Sequence, residues 1–249
     1  MNSTTEYITE GKIFHGYIPH VMGTRLEMLI IGKDEDDVVP LWSSLHEYVF
    51  KLDGIMNRFA PESEVSALNL SDNPREMPMS DELAAIVELS EEYNNRTDGL
   101  FDVTDENGKF DFGGFGKGYF LRRCKAILLE NNVQCAFVDF GSSSILCMGH
   151  HPYGDAWPIG ITDPYTRLTV KEIMLVDAAM STSGNTPAYS GHIRNPRTGE
   201  VCKGRHMITV VSDDPLDAEI LTTTLMIASE NEVESIMSRF PSSKIEVIK

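Results

Sequence analysis

The eleven residues 110–120, F-D-F-G-G-F-G-K-G-Y-F, constrain what this chain can fold into more than any other stretch. Gly113, Gly114, Gly116 and Gly118 interleave with Asp111 and Lys117, and an apolar-periodic segment begins at Phe120. Glycine lets the backbone take conformations that a Cβ forbids, and it lets a ligand come close to the main chain. If a helix starts near Lys117, its free N–H groups and the positive end of its dipole face the loop, which suits a phosphate. Lysine adds a point charge there. An ordinary strand-to-helix turn has the same composition, and these residues alone leave both readings open. Two common phosphate loops are excluded: Lys117 is followed by Gly118 rather than Ser or Thr, and no G-x-G-x-x-G can be read.

Charge narrows the partners. The chain has 249 residues, 41% of them hydrophobic, enough for a substantial core. Its formal net charge is −17 and no basic run interrupts it. Nucleic acid is thereby excluded as a partner, because binding it needs a basic face that displaces counterions. A small anionic ligand requires positive charge supplied locally by a lysine, a helix end or a metal ion. Cys124, Cys135, Cys147 and Cys202 lie on separate segments with no C-x-x-C pair, so they read as reduced core residues of a cytoplasmic protein. Residues 1–12 lack a secretory pattern, and no apolar run is long enough to span a bilayer.

Periodicity places the elements. Residues 21–31 alternate as a strand ended by Gly32, and Leu41, Trp42, Leu45, Val49 and Leu52 recur at helical spacing over about 38–52. Ser80 offers an N-cap ahead of Asp81 and Glu82 for a helix that stops by Gly99. Phe120, Leu121, Cys124, Ile127 and Leu128 form the next amphipathic helix. Short apolar runs follow at 135–140, 145–148, 157–161 and 173–176, then a strand at 207–211, helices at 218–228 and 232–239, and a closing strand at 245–248. Strands and helices mix without strict alternation, which favours an α+β fold, and no linker or repeat divides residues 1–249, so one domain is expected.

Chemistry-bearing residues are sparse. His192, in the turn-rich G-H-I-R-N-P-R-T-G, can act as a general base near neutral pH, although a lone histidine is more often structural. Glu219 and Thr223 lie four apart on one face of an expected helix and offer hard oxygen ligands to Mg²⁺; a plain surface or capping pair is the competing reading. Asp102, in L-F-D-V-T, fits a strand end where it makes a turn.

Nine segments taken together resemble the ApbE family, the FAD:protein FMN transferases. In order they are M-G-T at 22–24, S-E-V-S-A-L-N at 63–69, D-G-L-F-D-V-T at 98–104, D-F-G-G-F-G-K-G-Y at 111–119, F-G-S-S-S-I at 140–145, W-P-I-G-I-T-D-P at 157–164, S-T-S-G at 181–184, H-I-R-N-P-R-T-G at 192–199 and A-E-I-L-T-T-T-L from 218. The resemblance implies an α+β fold with mixed or antiparallel sheets and helices around a flavin cleft. It also implies transfer of FMN from FAD onto a Ser or Thr hydroxyl of an acceptor flavoprotein, with Mg²⁺ on the diphosphate; an FAD-binding or FAD-hydrolysing member is the alternative. It assigns flavin contacts to Met22, Phe59, Asn69, Leu100, Phe101, Asp102, Asp111, Lys117 and Ile193, the base to His192, and the metal to Gly114, Glu219 and Thr223. Glu219 stands where the family has aspartate, Phe59 where it has tyrosine, and Asn195 where it has aspartate. Six residues separate Thr104 from Asp111, where family members carry a much longer segment.

Overall fold

The computed structural model describes residues 3–186, 193–203 and 207–248. Its strands are β1 (Thr4–Ile8), β2 (Ile13–Val21), β3 (Thr24–Ile31), β4 (Cys135–Phe140), β5 (Ser144–Met148), β6 (Trp157–Thr162), β7 (Thr169–Leu175), β8 (Ala179–Gly184), β9 (Met207–Ser212) and β10 (Lys244–Ile248). Eight of them form one sheet in the order β1-β2-β3-β4-β5-β8-β9-β10, with neighbours antiparallel; β6 and β7 form a separate hairpin. The helices are α1 (Glu35–Met56), α2 (Glu64–Leu68), α3 (Asp81–Arg96), α4 (Gly116–Glu130), α5 (Pro215–Leu225) and α6 (Glu230–Met237). Among the described residues, no helix is long and apolar enough to cross a membrane.

The two sides of the sheet are covered differently. On β5, alternate residues divide between two cores: Leu146 and Met148 join the main cluster with Leu45, Phe120 and Leu221, and Ile145 and Cys147 join Trp157, Ile159 and Ile173 of the hairpin. Strand alternation sends successive side chains to opposite faces, so helices pack one face and β6–β7 the other. All five residues of β5 are buried as a result.

Most elements lie where periodicity places them, and several do not. The stretch 21–31 is not one strand: Met22 and Gly23, at φ 47° and 75°, turn the chain between β2 and β3. Two consecutive residues with positive φ make the tight turn that matches strand twist, so the alternation on either side belongs to a hairpin. Residues 181–184 carry no strand pattern, yet S-T-S-G is the end of β8, paired to β9 through Thr182 and Thr209. β1, β2 and α2 have no counterpart in the periodicity reading; β1 is polar with low burial.

The short segment after Thr104 closes tightly. Thr104 bridges Phe110, the Asp105 N–H donates to Lys109 O at 2.8 Å, and the Gly108 N–H donates to Asp105 O at 2.9 Å. Asn69, from the end of α2, clamps the exit: its amide nitrogen donates to Phe110 O at 2.9 Å and its carbonyl oxygen accepts the Phe110 N–H at 2.8 Å. The glycine stretch therefore leaves a fixed point.

Helix α4 is held from behind by Glu82. Its carboxylate accepts the Tyr48 hydroxyl of α1 at 3.0 Å, the Tyr119 hydroxyl of α4 at 3.1 Å and the Lys51 ammonium at 3.0 Å. Burial opposes charge on Glu82, but the bonds from Lys51, Tyr48 and Tyr119 outweigh it and hold the carboxyl below its ordinary value. A carboxyl depressed in the folded state stabilises above its unfolded pKa, and that stability is lost as pH falls through the folded value. Glu82→Gln is expected to cost about 1 kcal/mol at neutral pH, a charged hydrogen bond discounted for partial exposure. Urea unfolding should show the gap between variant and parent shrinking in acid, below the unfolded carboxylate range near 4.5.

Candidate functional site

The β2–β3 turn, the C-terminal end of α1 and the glycine stretch enclose a cavity of about 320 Å³. His20, Met22 and Gly23 line it from the turn, Asp53, Met56 and Asn57 from α1, Arg58 and Phe59 from the following loop, and Asp111, Phe112, Gly113, Gly116 and Lys117 from the glycine stretch. Gly116 packs closely against two methionines: a Cβ on it would lie 3.3 Å from the Met56 methyl and 3.6 Å from the Met22 sulfur. Phe59 presents its ring to the cavity mouth at 82% exposure, with the Arg58 guanidinium 5.1 Å from its centroid. An exposed aromatic beside a cation is a platform for a planar ligand that carries negative charge.

The loop's own backbone is organised around Asp111 and Phe112. Asp111 accepts the Gly113 N–H at 3.0 Å and the Arg58 guanidinium at 2.9 Å. Phe112 O accepts from both Phe115 N and Gly116 N. Gly116 N–H is spent on Phe112 O, and Tyr119 N–H, donating to Phe115 O at 3.0 Å, opens the ladder of α4, so Lys117 and Gly118 carry N–H groups ahead of the ladder. The helix begins within one residue of the expected place.

Behind the cavity, Lys117 forms a buried ion pair with Glu219 Oε1; their side chains are 19% and 6% exposed. The other oxygen of Glu219 accepts the hydroxyls of Ser144 on β5, at 2.5 Å, and Ser181 on β8, at 2.9 Å. Gly118 makes this possible, because a Cβ there would sit 2.6 Å from Glu219 Cβ and 3.2 Å from Leu216 Cα. Two residues earlier on α5, Asp217 accepts the Tyr93 hydroxyl at 2.5 Å, which ties α5 to α3. Burial pushes the Asp217 carboxyl up, and the Tyr93 bond pulls it partly back.

The residues singled out from the sequence divide into groups. Met22, Phe59, Asp111 and Lys117 meet at the cavity. Leu100 and Phe101 are buried, and Phe101 stacks on Phe115 at 6.3 Å and comes within 3.9 Å of the Cβ position of Gly114, so they support the loop from beneath. Asn69 spends its side chain on Phe110, and Ile193 is 4% exposed with its carbonyl bonded to Cys202 N. Asp102 lies elsewhere: it accepts the Thr104 N–H and hydroxyl, as the turn reading holds, and it lines a different cavity of about 310 Å³ with Arg75, Glu91 and Asn94. His192 lies outside the described residues. Arg58, Ser144 and Ser181 carried no signal beyond their residue type and were missed; the two serines sit inside quoted motifs, but only the fold turns them toward Glu219.

Mg²⁺, implied by the resemblance, was tested against the three assigned ligands. Gly114 and Thr223 are neighbours: a Cβ on Gly114 would lie 3.7 Å from Thr223 Oγ1. Thr223 Oγ1 is in turn 3.3 Å from Ser183 Oγ. Glu219, however, is already satisfied by an ammonium and two hydroxyls. A divalent ion within about 4 Å of that ammonium would meet repulsion of order 8 kcal/mol, twice the figure for unit charges at an effective dielectric of 20. Among the described residues no group of three or more His, Cys, Asp or Glu gathers for a metal. The arrangement does not fit Mg²⁺, and Glu219 as a metal ligand is corrected to Glu219 as a counter-ion.

With the geometry in hand, the chain was compared with known proteins. The sequence model of the ApbE family matches residues 22–107 and 104–248. The FAD:protein FMN transferase of Klebsiella pneumoniae is 28% identical over 127 residues, which cover 47% of this chain and 38% of that relative, so the chain matches well under two thirds of its length. Among solved structures, the flavin transferase ApbE from Vibrio cholerae has a TM-score of 0.76 at 20% identity, covering 97% of this chain and 93% of that one. The ApbE protein from Thermotoga maritima has a TM-score of 0.78 at 18% identity, covering 95% and 96%. At these identities the likeness carries the fold, an α+β arrangement of antiparallel sheets and helices.

Removing one member of a buried pair strands the other charge. Glu219→Leu is expected to cost about 3–5 kcal/mol in urea unfolding. The double variant Lys117→Met, Glu219→Leu should recover most of that loss, because neither charge is then left buried alone.

Proposed function

The chain belongs to the ApbE family, and from that premise we propose that it transfers FMN from FAD to a Ser or Thr hydroxyl of an acceptor flavoprotein, releasing AMP. One observation carries the reading: four residues assigned to flavin binding from three separate stretches of the sequence, Met22, Phe59, and Asp111 with Lys117, line a single cavity. That cavity also holds Arg58, so it joins an exposed aromatic platform to two cations and a helix N-terminus. An isoalloxazine ring and a diphosphate need those two chemistries side by side. Four unpaired cysteines support a reducing, cytoplasmic setting.

In the proposed reaction the acceptor oxygen attacks the phosphorus of the FMN half. The bond from that phosphorus to the AMP phosphate oxygen breaks, and the hydroxyl proton passes to His192. Lys117, Arg58 and the N–H groups at the start of α4 face the negative charge that builds on the phosphoryl oxygens. Arg58 and Lys117 are paired with Asp111 and Glu219. A diphosphate therefore competes with carboxylates already in place, which favours a ligand of high charge over a neutral flavin. Phe59 and Met22 orient the ring, and Asn69 and Phe101 hold the loop that fixes the phosphate end. No step is routed through a metal ion.

Incubation with FAD and an acceptor protein encoded near this one should yield an acceptor band with covalent flavin fluorescence in a denaturing gel. His192→Ala should slow labelling by about 10²–10⁴-fold, the span for a lost general base. AMP release without a labelled acceptor would replace transfer by hydrolysis.

A further inference from the structure

We infer that Lys117 supplies from within the chain the positive charge that a divalent cation would bring, and that this protein binds flavin nucleotide without Mg²⁺. The inference rests on the flavin reading above for its ligand, but not for its geometry. Glutamate reaches one methylene farther than aspartate. Here that reach carries the Glu219 carboxylate to the sheet, where Ser144 on β5 and Ser181 on β8 both donate to Oε2. Oε1 is left for the Lys117 ammonium. Gly118, next to Lys117, lets α5 pack against the first turn of α4, since any Cβ there would strike Glu219 Cβ at 2.6 Å. The lysine is thus tethered at the base of the cavity it lines.

The same donors that satisfy Glu219 deny it to a metal. Thr223, the other assigned side-chain ligand, is left beside Gly114 with the Ser183 hydroxyl as a neighbour, and the carboxylate assigned with it, Glu219, is engaged elsewhere. A buried carboxylate with three donors fixes a cationic side chain in place, and a fixed ammonium needs no recruitment from solution.

Mn²⁺ serves as a paramagnetic probe. Titrated by electron paramagnetic resonance, wild type and Glu219→Gln should bind Mn²⁺ alike, with FAD present or absent. Lys117→Met should gain an Mn²⁺ site that Lys117→Met, Glu219→Gln lacks. In parallel, the FAD affinity of wild type should stay within about twofold between EDTA and Mg²⁺ buffers. A stoichiometric Mn²⁺ site in wild type that Glu219→Gln abolishes overturns the inference. So does a tightening of FAD by about tenfold or more with Mg²⁺, or a Lys117→Met protein that binds no more Mn²⁺ than wild type. Failure to bind FAD at all would remove the flavin reading, and the Mn²⁺ comparison would still decide this one.

Discussion

The Lys117–Glu219 ion pair is the contact on which the rest of the site depends. It joins the first turn of α4 to α5, and through Ser144 and Ser181 it reaches the adjacent strands β5 and β8. A charge pair this buried costs desolvation on both sides, and it persists only when further hydrogen bonds complete it. The serines do so for Glu219. Gly118 permits the pair, because only a residue without a Cβ lets α5 come this close to the first turn of α4. Position and charge of the glycine loop therefore have one origin.

Three other contacts keep that loop from drifting. Glu82 holds α4 to α1 through Tyr119 and Tyr48, Asn69 grips Phe110 with both atoms of its amide, and Phe101 lies under Gly114. The short turn from Thr104 to Phe110 is a hydrogen-bonded loop that supplies Asp105 toward Arg58, 4.0 Å away. In a chain of net charge −17, cations at the cavity are held by paired carboxylates rather than by a general positive field. Such cations are local and oriented, and they screen little of one another's effect on a bound diphosphate.

Much of the fold was legible because its elements bury one face. The Ser80 cap, the α1 stripe and strand β4 emerge directly from spacing, and β4 falls on the residues expected. What spacing misread or passed over is decided by backbone turns and strand pairing. Met22 looks like a strand residue until its positive φ makes it a hairpin turn, and S-T-S-G carries no strand pattern until β9, more than twenty residues on, pairs with it. The site shows the same limit. Met22, Phe59, Asp111 and Lys117 converge as the motif order implied, whereas Asp102 is turned into another cavity by its bonds to Thr104. Glu219 and Thr223 share a helix face as their spacing requires, but spacing gives no hint that two serines and a lysine claim the carboxylate first.

The central claim is that the cavity beside the glycine loop takes FAD through a ring platform at Phe59 and cations at its base. Phe59 is 82% exposed, so its replacement tests binding without disturbing the core. Titration of FAD followed by quenching of flavin fluorescence should saturate for wild type and weaken by about tenfold or more for Phe59→Ala at unchanged melting temperature. Equal affinity in the two proteins, or no saturable quenching in wild type, would contradict the account.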